Sequence, residues 1–148
     1  MPLRKHALKD MTFVEFRERL AERPVILLPF GSQEEQGPHA PMGDYLLAEK
    51  IAELAAIRAS KRGVRTLVAP VLPYGGVDWF GPMIGGIALS QSTLTSVITD
   101  MVSSLHKTGL TRLVVINGHG GNVGPIAEVA RSLYLRDGTV LPSLYLWR

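Results

Sequence analysis

The sequence of 148 residues contains no cysteine. Disulfides and thiolate metal sites are therefore excluded, and the cytoplasm is the expected compartment. It also lacks any apolar run near the roughly 18 residues that a membrane span requires. The basic N-terminus, Met1 to His6, is followed by no apolar stretch of the kind a secretory leader carries. Charged residues make up only 20% of the chain, against 46% hydrophobic. That balance supports a packed core and argues against disorder. The net charge of +3 comes from scattered Lys and Arg that never interleave with aromatics, which speaks for a solvated surface and against a nucleic-acid face. Repeats, linkers and low-complexity tracts are absent too, so residues 1–148 are expected to form a single domain.

What the chain does have is glycine and proline, 15 and 10 residues, gathered in loops between apolar segments. Thr12, with Glu15 three residues on, reads as a capping box opening a helix through Phe13, Phe16 and Leu20. Pro24 ends it, and Val25–Pro29 reads as a strand. A helix from Tyr45 to about Lys61 is expected to place Ile51, Leu54, Ala55 and Ile57 on one side. Thr66–Ala69 is a second strand. A helix capped by Ser90 or Ser92 carries Leu94, Val97, Ile98, Met101, Val102 and Leu105, and Gly109 stops it. Arg112–Ile116 is a β-branched run of the kind buried on both faces of a parallel sheet. Val123–Arg136 is helical, and Val140–Trp147 is a fourth strand. This alternation predicts an α/β fold: a mostly parallel sheet with helices on both faces, flavodoxin-like, in strand order 2-1-3-4.

In that order the loops after strands one and three flank the crevice where ligands bind. Both are unusual. The first runs from Gly31 to Asp44, well beyond an ordinary strand-to-helix connection of about 2–6 residues. It carries Gln33, Glu34, Glu35, Gln36, His39 and Asp44. The second, Asn117-Gly118-His119-Gly120-Gly121-Asn122, sets an imidazole among glycines. Carboxylates and imidazoles converging at a strand end suit a divalent ion such as Zn, Mn or Fe better than Ca. Such an ion, with an open position, acidifies bound water to near pH 7. Other readings stay open. Glu34 and Asp44 also fit solvated loop carboxylates, with Asp44 as a helix N-cap. His39 also fits a residue that orients its loop. Gly118, Gly120 and Gly121 also fit a phosphate cradle, although the dinucleotide and P-loop fingerprints are incomplete. The middle loop, Pro70 to Ser90, displays Tyr74, Asp78, Trp79 and Phe80; Trp79 is expected as a substrate wall, a core plug or an interface anchor.

The run from Gly31 to Asp44, together with Asn117 to Asn122, resembles the creatininase (creatinine amidohydrolase) family. The paired motifs, in this order and at this separation, are specific. The resemblance implies a flavodoxin-like fold, usually assembled as a homo-oligomeric hexamer. It implies a metal-dependent hydrolase that uses one or two divalent ions on a small cyclic amide, formamide or related cyclic carbonyl compound. It places Glu34, Asp44 and His119 at metal-ligand positions, with Asp44 as a carboxylate able to bridge two ions. Gln36 stands where the family usually has a His that serves the second ion, and is a candidate ligand in its place. His39 is the candidate catalytic group for orienting water or carrying a proton. Trp79, Gly120 and Asn122 are candidates for substrate binding. The family fold continues into a C-terminal segment that nothing in this sequence matches, so that part is expected to be missing. The alternative function is accordingly a non-catalytic binding or assembly subunit, or an inactive fragment.

Overall fold

A computed structural model describes residues 5–80 and 82–147; Met1 to Arg4 of the expected lead-in, Gly81 of the middle loop and Arg148 lie outside them. The chain runs α1 (Phe13–Leu20), β1 (Val25–Phe30), α2 (Tyr45–Lys61), β2 (Thr66–Val68), α3 (Gln91–Lys107), β3 (Leu113–Asn117), α4 (Val123–Asp137) and β4 (Ser143–Tyr145). The four strands form one sheet in the order β2-β1-β3-β4, and every pairing is parallel. This is the α/β architecture and strand order that the alternating pattern predicts. β1 and β3 pair from Ile26↔Leu113 to Phe30↔Asn117, so the two loops expected to carry chemistry leave the sheet side by side.

The local signals that start the helices are physical. Thr12 and Glu15 exchange side-chain and backbone hydrogen bonds in a full capping box, satisfying two otherwise unpaired N–H groups. Ser90, rather than Ser92, caps α3, its side chain accepting from the Thr93 N–H. Gly138 closes α4 in the left-handed conformation at φ 74°, where a β-carbon would be strained.

The core lies on both faces of the sheet. On one, Ile26, Leu28, Phe30 and Val115 pack with Leu94, Ile98 and Val102 of α3 and Ile126, Val129 and Leu133 of α4. On the other, Leu27, Val68 and Ile116 meet Ala52 and Ala56 of α2. Three expectations need correction. α2 does not bury Leu54 and Ile57, which are 49% and 38% exposed; its buried positions are Ala48, Ala52 and Ala56. A stripe of methyl groups lets the helix lie close on the sheet, and the larger residues then point outward. Phe13 is also exposed rather than core, with the Arg17 guanidinium 5.6 Å above its ring. The fourth strand is shorter than Val140–Trp147: only Ser143, Leu144 and Tyr145 pair, and only with β3. Val140 and Leu144 are exposed. Among the described residues, no helix is long and apolar enough to cross a membrane.

Candidate metal centre

Three loops meet at the carboxyl ends of β1 and β3, and the absence of side chains lets them do so. A β-carbon on Gly75 would stand 2.6 Å from the Gly31 carbonyl oxygen and 2.7 Å from both Asn122 Oδ1 and His119 Cδ2. A β-carbon on Gly121 would collide with the Gly76 carbonyl and stand 2.6 Å from His119 Nε2. The contact is sealed by Asn122, which is wholly buried. Its Nδ2 donates to the Gly31 carbonyl and to Asn117 Oδ1, and its Oδ1 accepts from the Gly76 N–H. Asn117 fixes the turn itself, accepting from the His119 N–H and donating to the His119 carbonyl. Asn122→Ala should therefore cost about 1–3 kcal/mol for the buried groups it leaves unpaired, read as a lower urea midpoint at unchanged slope.

His119 is 2% exposed and is ringed by acceptors. Nδ1 lies 3.0 Å from Asp44 Oδ2 and 3.3 Å from Glu34 Oε1. Nε2 lies 3.0 Å from the Gly76 carbonyl oxygen and 3.5 Å from Asp78 Oδ2. An imidazole whose two nitrogens both face acceptors carries a proton on each. Burial works against that charge, but the hydrogen bonds to Asp44 and the Gly76 carbonyl, with the nearby carboxylates, outweigh it and raise the pKa to about 9. Glu34 is pushed up to about 7, chiefly by burial; the His119 charge opposes this, while Asp44 and Asp78 add to it. Asp44 occupies the N-cap position of α2 but makes no side-chain capping bond. Its carboxylate turns back instead, Oδ1 accepting from the Ser32 N–H at 2.6 Å.

Glu34, Asp78 and His119 each offer a donor atom, and these atoms all lie within 4.8 Å of one another. Two buried carboxylates, Glu34 and Asp44, and the half-buried Asp78 surround one imidazole. A divalent ion fits that chemistry as the compensating charge. The centre opens onto a cavity of about 460 Å³, within the range of small-molecule sites.

The sequence matches the family model of creatinine amidohydrolase (creatininase) over residues 9–147. The chain belongs to the creatininase family. It is 33% identical over 129 residues to the creatinine amidohydrolase of Pseudomonas putida, covering 80% of this chain and 46% of that one. It is 32% identical over 111 residues to the mycofactocin precursor peptide peptidase of Mycobacterium tuberculosis strain H37Rv, covering 71% and 44%. With the 3-dehydro-scyllo-inosose hydrolase of Thermotoga maritima it shares 29% over 121 residues, covering 80% and 38%. A solved manganese creatininase superposes with a TM-score of 0.85 at 28% identity, over 97% of this chain and 59% of that one. The chain thus spans less than half the length of these curated relatives. They are named for hydrolytic reactions, and their substrates differ.

Within this creatininase-family fold, Glu34, Asp44 and His119 come together although 75 residues separate Asp44 from His119. Gln36 lines the same cavity, its Nε2 donating to Glu34 Oε1 at 3.1 Å. Gly120 lines it as well. Asn122 lies beneath the loops as their tie, away from the cavity wall. His39 is not brought in: it is exposed on the outer turn of its loop. Trp79 is 91% exposed and turns away; Phe80, Tyr145 and Trp147 form the aromatic wall instead. Local sequence does not mark Asp78 as a candidate donor. Its loop follows the edge strand β2, and only the glycine contact at Gly75 and Gly76 carries it back over β1. The available signal was an acidic residue two positions after a Gly-Gly pair, which is weak by itself.

Proposed function

We propose that this chain is a metal-dependent hydrolase that opens a small cyclic amide, cleaves a formamide, or acts on a related cyclic carbonyl compound. The observation that carries the reading is the convergence of Glu34, Asp44 and Asp78 on the buried His119. These four residues would hold a Zn, Mn or Fe(II) ion. When bound, such an ion supplies an acidified water and polarises a carbonyl oxygen. The chain's own residues do the rest. Asp44, its Oδ1 pinned by the Ser32 N–H, is held with Oδ2 beside the His119 ring. Phe80, Tyr145 and Trp147 give a flat substrate ring an apolar face. Glu35 and Gln36 give the rim polarity. His39 keeps the expected acid–base role only if its exposed loop turns inward when substrate binds.

Elemental analysis after reconstitution tests the reading. We expect stoichiometric transition metal, and hydrolysis of cyclic-amide or N-formyl substrates that chelation abolishes. Trace metal only, with Asp44→Ala and Asp78→Ala leaving activity unchanged, would end it. Three further expectations belong to the same proposal: a single domain over residues 1–148, a cytoplasmic location and a homo-oligomer, hexameric as in the resembling family. Leu46, Leu54 and Ile57 of α2 are each exposed, and an oligomer would cover them. Light scattering on the eluting peak checks it.

A further inference from the structure

We propose that the centre holds one divalent ion, and that Gln36 keeps it at one by positioning Glu34 instead of serving as a ligand. The inference rests on the metal-hydrolase reading above. It sets this chain apart from a mutant creatininase of the Zn–Zn type, which superposes with a TM-score of 0.83 at 28% identity.

The argument is a count of donors. One ion takes about three protein ligands and keeps room for water, and a second ion needs a comparable set. Around His119 the mutually close donors are one atom each from Glu34, Asp78 and His119, enough for one ion. Asp44 is already engaged on both sides: Oδ2 lies 3.0 Å from His119 Nδ1, and Oδ1 accepts from the Ser32 N–H.

Gln36 removes the next candidate. Its amide donates to Glu34 Oε1. With Nε2 as the donor, the amide turns its NH2 toward the centre. An amide nitrogen has no lone pair free for a metal, unlike the imidazole nitrogen of a histidine. The hydrogen bond does have a use: it holds the Glu34 oxygen that also lies 3.3 Å from His119 Nδ1. Glu35, the remaining carboxylate on the cavity wall, has Oε1 tied to the Gly37 N–H. The other lining residues are Gly37, Gly118 and Gly120, which have no side chains, and the aromatic wall. Among the described residues, Glu34, Asp78 and His119 are the one group of three His or carboxylate donors gathered within 4.8 Å at this centre.

Equilibrium dialysis of the 148-residue chain against Zn2+ or Mn2+, followed by elemental analysis, reads the stoichiometry directly. One ion per chain is expected, and the Mn2+ form should give the spin-resonance spectrum of an isolated ion. Two ions, or an exchange-coupled Mn pair, would overturn the inference while leaving the hydrolase reading standing. No ion at all would overturn that reading, and the inference with it. Gln36→Met removes the amide at similar length. With the circular dichroism unchanged, this variant should still bind one ion, about 10-fold more weakly or worse, the usual cost of losing an outer hydrogen bond to a ligand. Unchanged affinity would refute the positioning role. Complete loss of the ion would make Gln36 a ligand and refute it in the other direction.

Discussion

His119→Ala should abolish tight divalent-metal binding and lower the stability of the metal-free chain by about 3–5 kcal/mol, the range for breaking a buried ion pair. Both effects have one cause. The ring is the cationic partner of Asp44 and Glu34, which are themselves buried. Removing it leaves like charges together in a poorly solvated pocket with only protons to neutralise them. The substitution also severs a side chain that joins all three loops, through Asp44, Gly76 and Asp78. Urea unfolding of the chelated protein and calorimetric metal titration measure the two losses separately. A variant that still binds the ion with wild-type affinity would remove His119 from the centre. A variant of wild-type stability would mean that Glu34 and Asp44 need no cation in the folded state.

Metal affinity should rise steeply with pH, and the order of the two pKa values gives the shape of the curve. Glu34 is raised to about 7 and His119 to about 9, both above the ordinary values of about 4.3 and 6.5. The folded, metal-free chain therefore holds protons that the unfolded chain has released. Its stability is greatest at low pH by this contribution, and is lost as pH rises through about 7 for Glu34 and about 9 for His119. An ion must displace the same protons to reach its ligands. Affinity should climb about 100-fold per pH unit between about pH 5 and 7, where both protons leave, then about 10-fold per unit up to about pH 9, and level off above. Calorimetry in buffers of different ionisation enthalpy counts the protons released. An affinity flat across this span would show that neither group is protonated in the empty site.

The reading of the sequence was strongest where local composition and topology agreed. Glu34 and His119 lie in turns too rich in glycine and ligand atoms to be mere connectors, and the 2-1-3-4 strand order makes their neighbourhood a geometric necessity. It was weakest where packing reversed a local preference. Leu54 and Ile57 look like core by hydrophobicity, yet α2 approaches the sheet through Ala48, Ala52 and Ala56. Asp44 sits where an N-cap would, and its carboxylate serves the opposite side of the chain.

The order of elements, the parallel sheet, the creatininase kinship and the pairing of the first loop with the Asn117–Asn122 turn were all fixed by the amino-acid order, because period, capping and loop composition act over short stretches of chain. Only the folded molecule decided that Asp78 joins them, that Gln36 faces Glu34 as a donor, and that Phe80, Tyr145 and Trp147, not Trp79, line the cavity. Those outcomes depend on where a loop crosses its neighbours and which oxygen is already taken. Such facts belong to the contact of segments far apart in sequence, and local pattern holds no record of them.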